Sequence, residues 1–271
     1  GKYSQNLVST NSDQDVVNLF YGFLSAPDNL PDEFRGEEVE NGLQTANHLI
    51  VGMEYDISNK VDFNIEGYVK DFTQLTNINK NKLTASDPDF IVEEGLAKGV
   101  DFVLKYNDPK IYFWLVYSLG HISRIGEEIT YNPHFDRRHN VNLVSTYRFG
   151  ADKSWSFDAR WNLGSGFPFT QTQGFYPNLD FSDGIDTEYT SETGGLGILY
   201  AGLNEGRLPW YHRLDIALKK THDLSKNSKF EWNVGVTNLY NRENIFYFNR
   251  IEYKRVNQLP IMPSAGMSLS F

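Results

Sequence analysis

The densest run of oxygen donors in the chain is DFSDGIDTEYTSE, where Asp180, Asp183, Asp186, Glu188 and Glu192 follow one another with no basic residue between them. Carboxylates at this density can hold calcium, a hard cation that prefers oxygen ligands. Their spacing departs from the helix-flanked calcium loop, whose ligands alternate and close on a glutamate. Asp180, Asp183 and Asp186 are therefore calcium candidates against the alternative of a solvated acidic loop. Phe175, Tyr176, Phe181 and Tyr189 lie on the same segment. Their rings can stack on a sugar or peptide, or pin the loop to itself. The ligand-loop candidates are Phe175, Tyr176, Asp180, Phe181, Asp183 and Tyr189.

A second cluster is HFDRRH, in which His134 and His139 flank Asp136, Arg137 and Arg138. On an extended segment the two histidines point to opposite faces, which argues against a shared metal. Asp136 with His139 is the one acid/base pair an enzyme would want here. The alternative is an Asp/Arg hydrogen-bonded rim where a strand starts. The sequence holds no nucleophile elbow, phosphate loop or paired-histidine zinc motif. The expectation is no enzyme, no catalytic residue and no cofactor. DEFRGEEVENG (32–42) reads as an exposed loop.

Positioning such residues needs a scaffold, and composition narrows it. The chain has 271 residues, 25 basic against 35 acidic, and a formal charge of −10, which argues against nucleic acid as a partner. It has no cysteine, so neither disulfides nor thiolate metal sites are available. Aromatics make up 15% although mean hydropathy is −0.47. That combination suits a barrel with aromatic girdles and a wet interior, and also a carbohydrate-binding sandwich. No segment approaches the ~18–20 apolar residues of a membrane-spanning helix, so any membrane is crossed by strands.

Alternation with period two supplies those strands. NHLIVGMEYDI puts Leu49, Val51, Met53, Tyr55 and Ile57 on one face, and KIYFWLVYSLG does the same with Ile111, Phe113, Leu115, Tyr117 and Leu119. GLAKGVDFVLKY, HNVNLVSTYRFG, WSFDARWNLG, WYHRLDIALK and FEWNVGVTN repeat the pattern. In PSAGMSLSF, Met267, Leu269 and Phe271 oppose Gly266, Ser268 and Ser270. VDFNIEGYVKDF alternates at first and then slips near Gly67, which predicts a bulge there. The count is about nine strands, with a tenth ending near Asn6.

Connections alternate in length. Short turns fall at 58–60, 107–109, 150–154 and 225–228, and long ones near 11–45, 78–90, 126–137, 170–207 and 251–259. Short turns at one end and long loops at the other mark an outer-membrane barrel, not a sandwich. Tyr106, Tyr117, Tyr147, Trp155 and Trp210 near strand ends fit an interfacial aromatic belt.

With these elements placed, the chain resembles the TonB-dependent outer-membrane receptors, in particular the large Bacteroidetes type. Phe271, Leu269 and Met267 resemble the signal read by the barrel-assembly machinery. VGVTNLYNRENIFYF (234–248), with Asn238, Leu239, Tyr240 and Asn241, is similar to the family's penultimate strand. NPHFDRRHNVNLV (132–144), GLAKGVDF (95–102) and LPWYHRLDIAL (208–218) look like further strands in the family's order. The resemblance implies an all-β, antiparallel up-and-down transmembrane barrel portion, about 9–10 strands of roughly 22. Residues 1–271 would be the C-terminal barrel part of an importer, with the plug domain and N-terminal strands outside it. Implied partners are outer-membrane lipid, those strands and plug, the TonB system through the plug, and a surface lipoprotein. The implied location is the cell outer membrane. The alternatives are a structural barrel subunit of an outer-membrane complex, or a self-contained ten-strand barrel enzyme.

Overall fold

The computed structural model describes residues 1–5, 7–9, 23–25, 30–39, 43–79, 86–127, 129–178, 195–225, 227–250 and 252–271. Alternating segments pair with their neighbours in chain order to give one antiparallel sheet. Its strands are β1 (Lys2–Gln5), β2 (Gln44–Ser58), β3 (Val61–Ile78), β4 (Phe90–Asn107), β5 (Ile111–Ile125), β6 (His139–Phe149), β7 (Trp155–Gly164), β8 (Tyr211–Ser225), β9 (Ser228–Thr237) and β10 (Met262–Ser270). Thr130–Tyr131 adds a short piece beside β5. Every strand except β1 reaches the roughly 9–11 residues that a tilted membrane strand needs. Among the described residues there is no helix.

The register brings the apolar residues into continuous rows. One reads Tyr55, Phe63, Leu104, Leu115, Leu143, Trp161 and Leu214; its neighbour reads Met53, Ile65, Phe102, Tyr117, Val141 and Leu163. On the opposite face, Asp56, Asp62 and Lys105 align at one side of the sheet, and Arg160 and Asp215 at the other. Among the described residues no second sheet covers the apolar rows. Leu49 is 67% exposed and Tyr55 61%, while the buried apolar residues among those described are Phe34, Ala46, Val92, Ala97 and Tyr131. A sandwich would bury the apolar face between sheets. A barrel wall turns it to lipid, and this sheet is such a wall.

Gly67 does not carry the expected bulge. It pairs regularly with Val51 and Val100, and the irregularity in β3 lies between Phe72 and Leu75. The pattern slips because a glycine takes the apolar face at Gly67 and an aromatic takes the polar face at Tyr68. The Tyr68 ring lies over Gly99, where a Cβ would sit 2.5 Å from its Oη and 2.7 Å from the Leu119 carbonyl oxygen. The aromatic covers a glycine on the next strand and keeps the ladder intact.

The sheet does not close on itself among the described residues. β1 pairs with β2 from Gln44 to Asn47 and Gly1 bonds His48; among the described residues the rest of that edge and the outer edge of β10 have no partner.

Candidate functional site

Turns and loops segregate as expected. Four tight connections join β2–β3, β4–β5, β6–β7 and β8–β9 at one end, and the longer ones lie at the other. One boundary is corrected: the last loop runs from 238 to 261 instead of starting near 251, because β9 stops at Thr237. Asn238 and Asn241 adopt left-handed backbone, with φ of 54° and 50°. Asparagine tolerates that region because its short amide bonds locally. The fully buried Asn238 amide donates to the Arg242 and Leu259 carbonyls at 2.9 and 3.0 Å, and its Oδ1 accepts from Arg242 N–H at 3.0 Å. Its own N–H donates to Asp215 Oδ1 at 2.9 Å. Asn241 Oδ1 accepts from Ile261 N–H at 2.8 Å. The NLYN segment is thus a polar knot closing the loop, not a strand. Within DEFRGEEVENG, Arg35 and Gly36 at positive φ make the tight turn of a small hairpin.

A second knot holds the loop before β6. Asp136 is fully buried, and its Oδ2 accepts from Arg138 Nε at 2.8 Å and Arg207 Nη2 at 2.5 Å. Ile122 N–H donates to Oδ1 at 2.9 Å. Burial alone would push this carboxyl up; the bonds from Arg207, Arg138 and Ile122 outweigh it and hold it below the usual carboxylate range. Asn204, donating to the Asn132 carbonyl at 2.9 Å, completes the tie between the loops at 126–138 and 165–210. Asp136 and His139 therefore do not form an acid/base pair. His139 Nδ1 is hydrogen-bonded to Tyr117 Oη at 2.9 Å, and its ring stacks on Trp210. His134 meets the edge of Phe135. The rim arrangement is the one found.

The loops at 165–210 and 238–261 meet. Phe175 and Tyr176 sit on a hairpin of Thr172–Asn178 with Gly195–Tyr200. Phe175 contacts Tyr253 edge-on at 5.7 Å, and Arg250 donates to Thr172 Oγ1 at 2.9 Å while lying over Tyr200. Tyr176 is 48% exposed. Asp180, Phe181, Asp183, Asp186 and Tyr189 lie outside the described residues. Among the described residues, no cluster of three His, Cys, Asp or Glu side chains is arranged for a metal ion.

Below this hairpin lies a cavity of about 300 Å³. Arg137, Phe167, Trp210, Tyr211, Arg242 and Arg255 contribute to its wall. Arg137 lies flat on Phe167 at 4.1 Å and reaches Tyr211 at 5.6 Å. Gly164 makes room for it, since a Cβ there would meet the guanidinium at 2.5 Å. Reading the sequence named Arg137 only as part of the HFDRRH rim and did not single out Arg242 or Arg255. The available signal was that Arg137, Tyr211 and Arg242 fall in three separate family-like segments, which the fold brings to one place.

Aromatics mark both ends of the wall. Tyr147, Phe149, Trp155 and Trp232 form a contiguous stack at the short-turn end, and Phe102, Tyr117, His139 and Trp210 at the loop end. Two belts flanking an apolar band are what the two membrane interfaces require.

Two solved structures share the fold. The ferric-catecholate import receptor Fiu from E. coli K12 superimposes with a TM-score of 0.54 at 13% identity, over 84% of this chain and 28% of that one. The ferripyoverdine receptor of the Pseudomonas aeruginosa outer membrane, bound to ferripyoverdine, gives 0.58 at 8% identity, over 84% and 27%. At these identities the likeness is one of fold: an antiparallel outer-membrane β-barrel. The chain spans less than a third of either structure's length. No protein-family model matches the chain, and no curated protein does.

Proposed function

We propose that this chain is the C-terminal barrel portion of a TonB-dependent outer-membrane importer of Bacteroidetes type, lying in the cell outer membrane. The observation that carries the reading is the pair of bare strand edges, on β2 and on β10. In lipid every backbone polar group must find an internal partner, so a barrel wall cannot keep open edges at membrane depth. Further strands would meet both edges and complete a barrel of roughly 22 strands. The fold likeness to two outer-membrane receptors, each over about a quarter of its length, supports the same reading.

In this scheme the chain supplies wall, lumen lining and loops, and catalyses nothing. A plug contributed by the rest of the polypeptide gates passage and couples to the TonB system; a surface lipoprotein covers the loops. Ligand meets the hairpin bearing Phe175 and Tyr176 and the acidic segment with Asp180, Phe181, Asp183 and Tyr189, with Asp186 completing an oxygen-rich run suited to calcium. Phe271, Leu269 and Met267, at 96%, 56% and 81% exposure, offer their side chains to the barrel-assembly machinery.

The test is the intact mass of the polypeptide extracted from native outer membrane. A mass far above the 31.1 kDa of these residues is expected. A closed, heat-modifiable barrel of 31.1 kDa would overturn the reading.

A further inference from the structure

The cavity beneath the loop hairpin has an uneven charge balance. Three guanidinium groups, of Arg137, Arg242 and Arg255, face a single carboxylate, Glu243, and that carboxylate is taken by Arg255. Among the described residues the Arg242 guanidinium has one hydrogen bond, from Nη2 to the Trp210 carbonyl at 2.8 Å. Arg137 has neither a hydrogen bond nor an ion pair among the described residues; its neighbours are the faces of Phe167 and Tyr211. The Nε atoms of Arg137 and Arg242 are both shielded from solvent and meet no acceptor. Burial pushes the Arg137 guanidinium below its ordinary value, with Tyr211 opposing.

Buried polar groups are normally satisfied, and a shielded cation without a counter-charge is costly. Asp136, one residue away, cannot supply the charge, because Arg138, Arg207 and Ile122 already occupy it. The guanidinium plane matches a carboxylate in two parallel hydrogen bonds, which no hydroxyl or amide reproduces at equal strength. The Phe167 and Tyr211 rings beside Arg137 offer flat apolar area to whatever carries that carboxylate. A volume of about 300 Å³ is at the lower end for small-molecule pockets.

We propose that this cavity is a binding site for a small organic carboxylate, held by Arg137 and Arg242 and stacked against Phe167 and Tyr211. The site does not depend on the importer reading, since it lies wholly within described residues of this chain. The experiment therefore uses the intact native polypeptide in detergent, with no transport or energy source. Sodium benzoate is titrated against tryptophan fluorescence and by calorimetry, with benzamide as its neutral isostere.

Saturable benzoate binding is expected, with benzamide and the Arg137→Gln variant each weaker by roughly tenfold or more, as loss of a charged hydrogen bond demands. The exposed Arg255→Gln variant, which leaves the buried wall intact, is expected to weaken benzoate severalfold and keeps the test open should Arg137→Gln not fold. Absence of saturable binding overturns the proposal; so does equal affinity for benzoate and benzamide, or unchanged affinity in the folded arginine variants. An intact mass of 31.1 kDa would remove the importer and leave this site standing.

Discussion

At the short-turn end, Lys60 N–H donates to Ser58 Oγ, Lys110 N–H to Asp108 Oδ1, Ser154 N–H to Asp152 Oδ1 and Asn227 N–H to Ser225 Oγ. Each of these four bonds spans two residues of chain. At the loop end, Asp136 is bonded by Arg207, 71 residues away, Asn204 reaches Asn132 across 72, and Arg250 reaches Thr172 across 78. A turn capped by its own side chain forms whether or not the rest of the barrel has assembled. A loop tied to another loop forms only after the strands between them have paired. The short-turn end is therefore capped mainly from within each turn, with Lys60 Nζ to Asp108 Oδ2 at 2.6 Å and Lys220 Nζ to Ser154 Oγ as its added ties between neighbouring strands and turns. The other end behaves as a single cooperative unit that can hold a shaped cavity.

The sharpest way to break this contrast is Asp136→Ala. It leaves Arg138 and Arg207 without their shared carboxylate, and losing one partner of a buried pair costs about 3–5 kcal/mol. Limited proteolysis should then open both 126–138 and 165–210 while the four short turns stay resistant. Cutting in only one of the loops would contradict the cooperative unit.

Acid should reach the same contact without mutation. The folded Asp136 carboxyl is depressed, so its contribution is fully present above the ordinary carboxylate pKa of about 3.9 and is lost as pH falls through the folded value. Hydrogen exchange at Ile122 N–H, which bonds to it, should speed up across that window. Exchange rates in the β6–β7 core, around Leu143 and Trp161, should change far less. A uniform change along the sheet would show that the knot is not what titrates.

Asn238→Ala comes next. The change removes three side-chain hydrogen bonds and leaves at a φ of 54° an alanine without the amide that makes this region tolerable, for an expected loss of about 2–3 kcal/mol. Asn238→Gly, which keeps the conformation but not the bonds, should lose less, and the difference measured by denaturant unfolding separates the two costs. The smallest effect is expected at the opposite end. Asp152→Ala removes an exposed turn cap, and the smallest loss of the series is anticipated in the same unfolding assay. A loss as large as that of Asn238→Ala would erase the distinction between the two ends.

The contrast also explains which features could be read from the residues. Alternation in Leu49 to Ile57 or Ile111 to Leu119 is enforced by the pleat, so strand positions and faces followed directly. Short turns were legible because their capping side chains lie inside the turn. The slip at Gly67 misled because an aromatic on the polar face looks like a register change until its partner, Gly99, is seen on the next strand. Asn238 misled in the same way: its strand-like surroundings hide a left-handed residue whose bonds go to Arg242 and Leu259.

The residues by themselves determined the ladder of strands, the sorting of turns by length, the apolar and polar faces, and hence a barrel wall instead of a sandwich. All of these repeat with a period of two or lie within a few positions of chain, where backbone geometry leaves little choice. Tertiary structure alone decided that Asp136 belongs to Arg207 and not to His139, and that Arg137, Tyr211 and Arg242 enclose one cavity. Those contacts join loops whose paths depend on the paired ladder beneath them, and no period in the residues encodes a meeting point tens of positions apart.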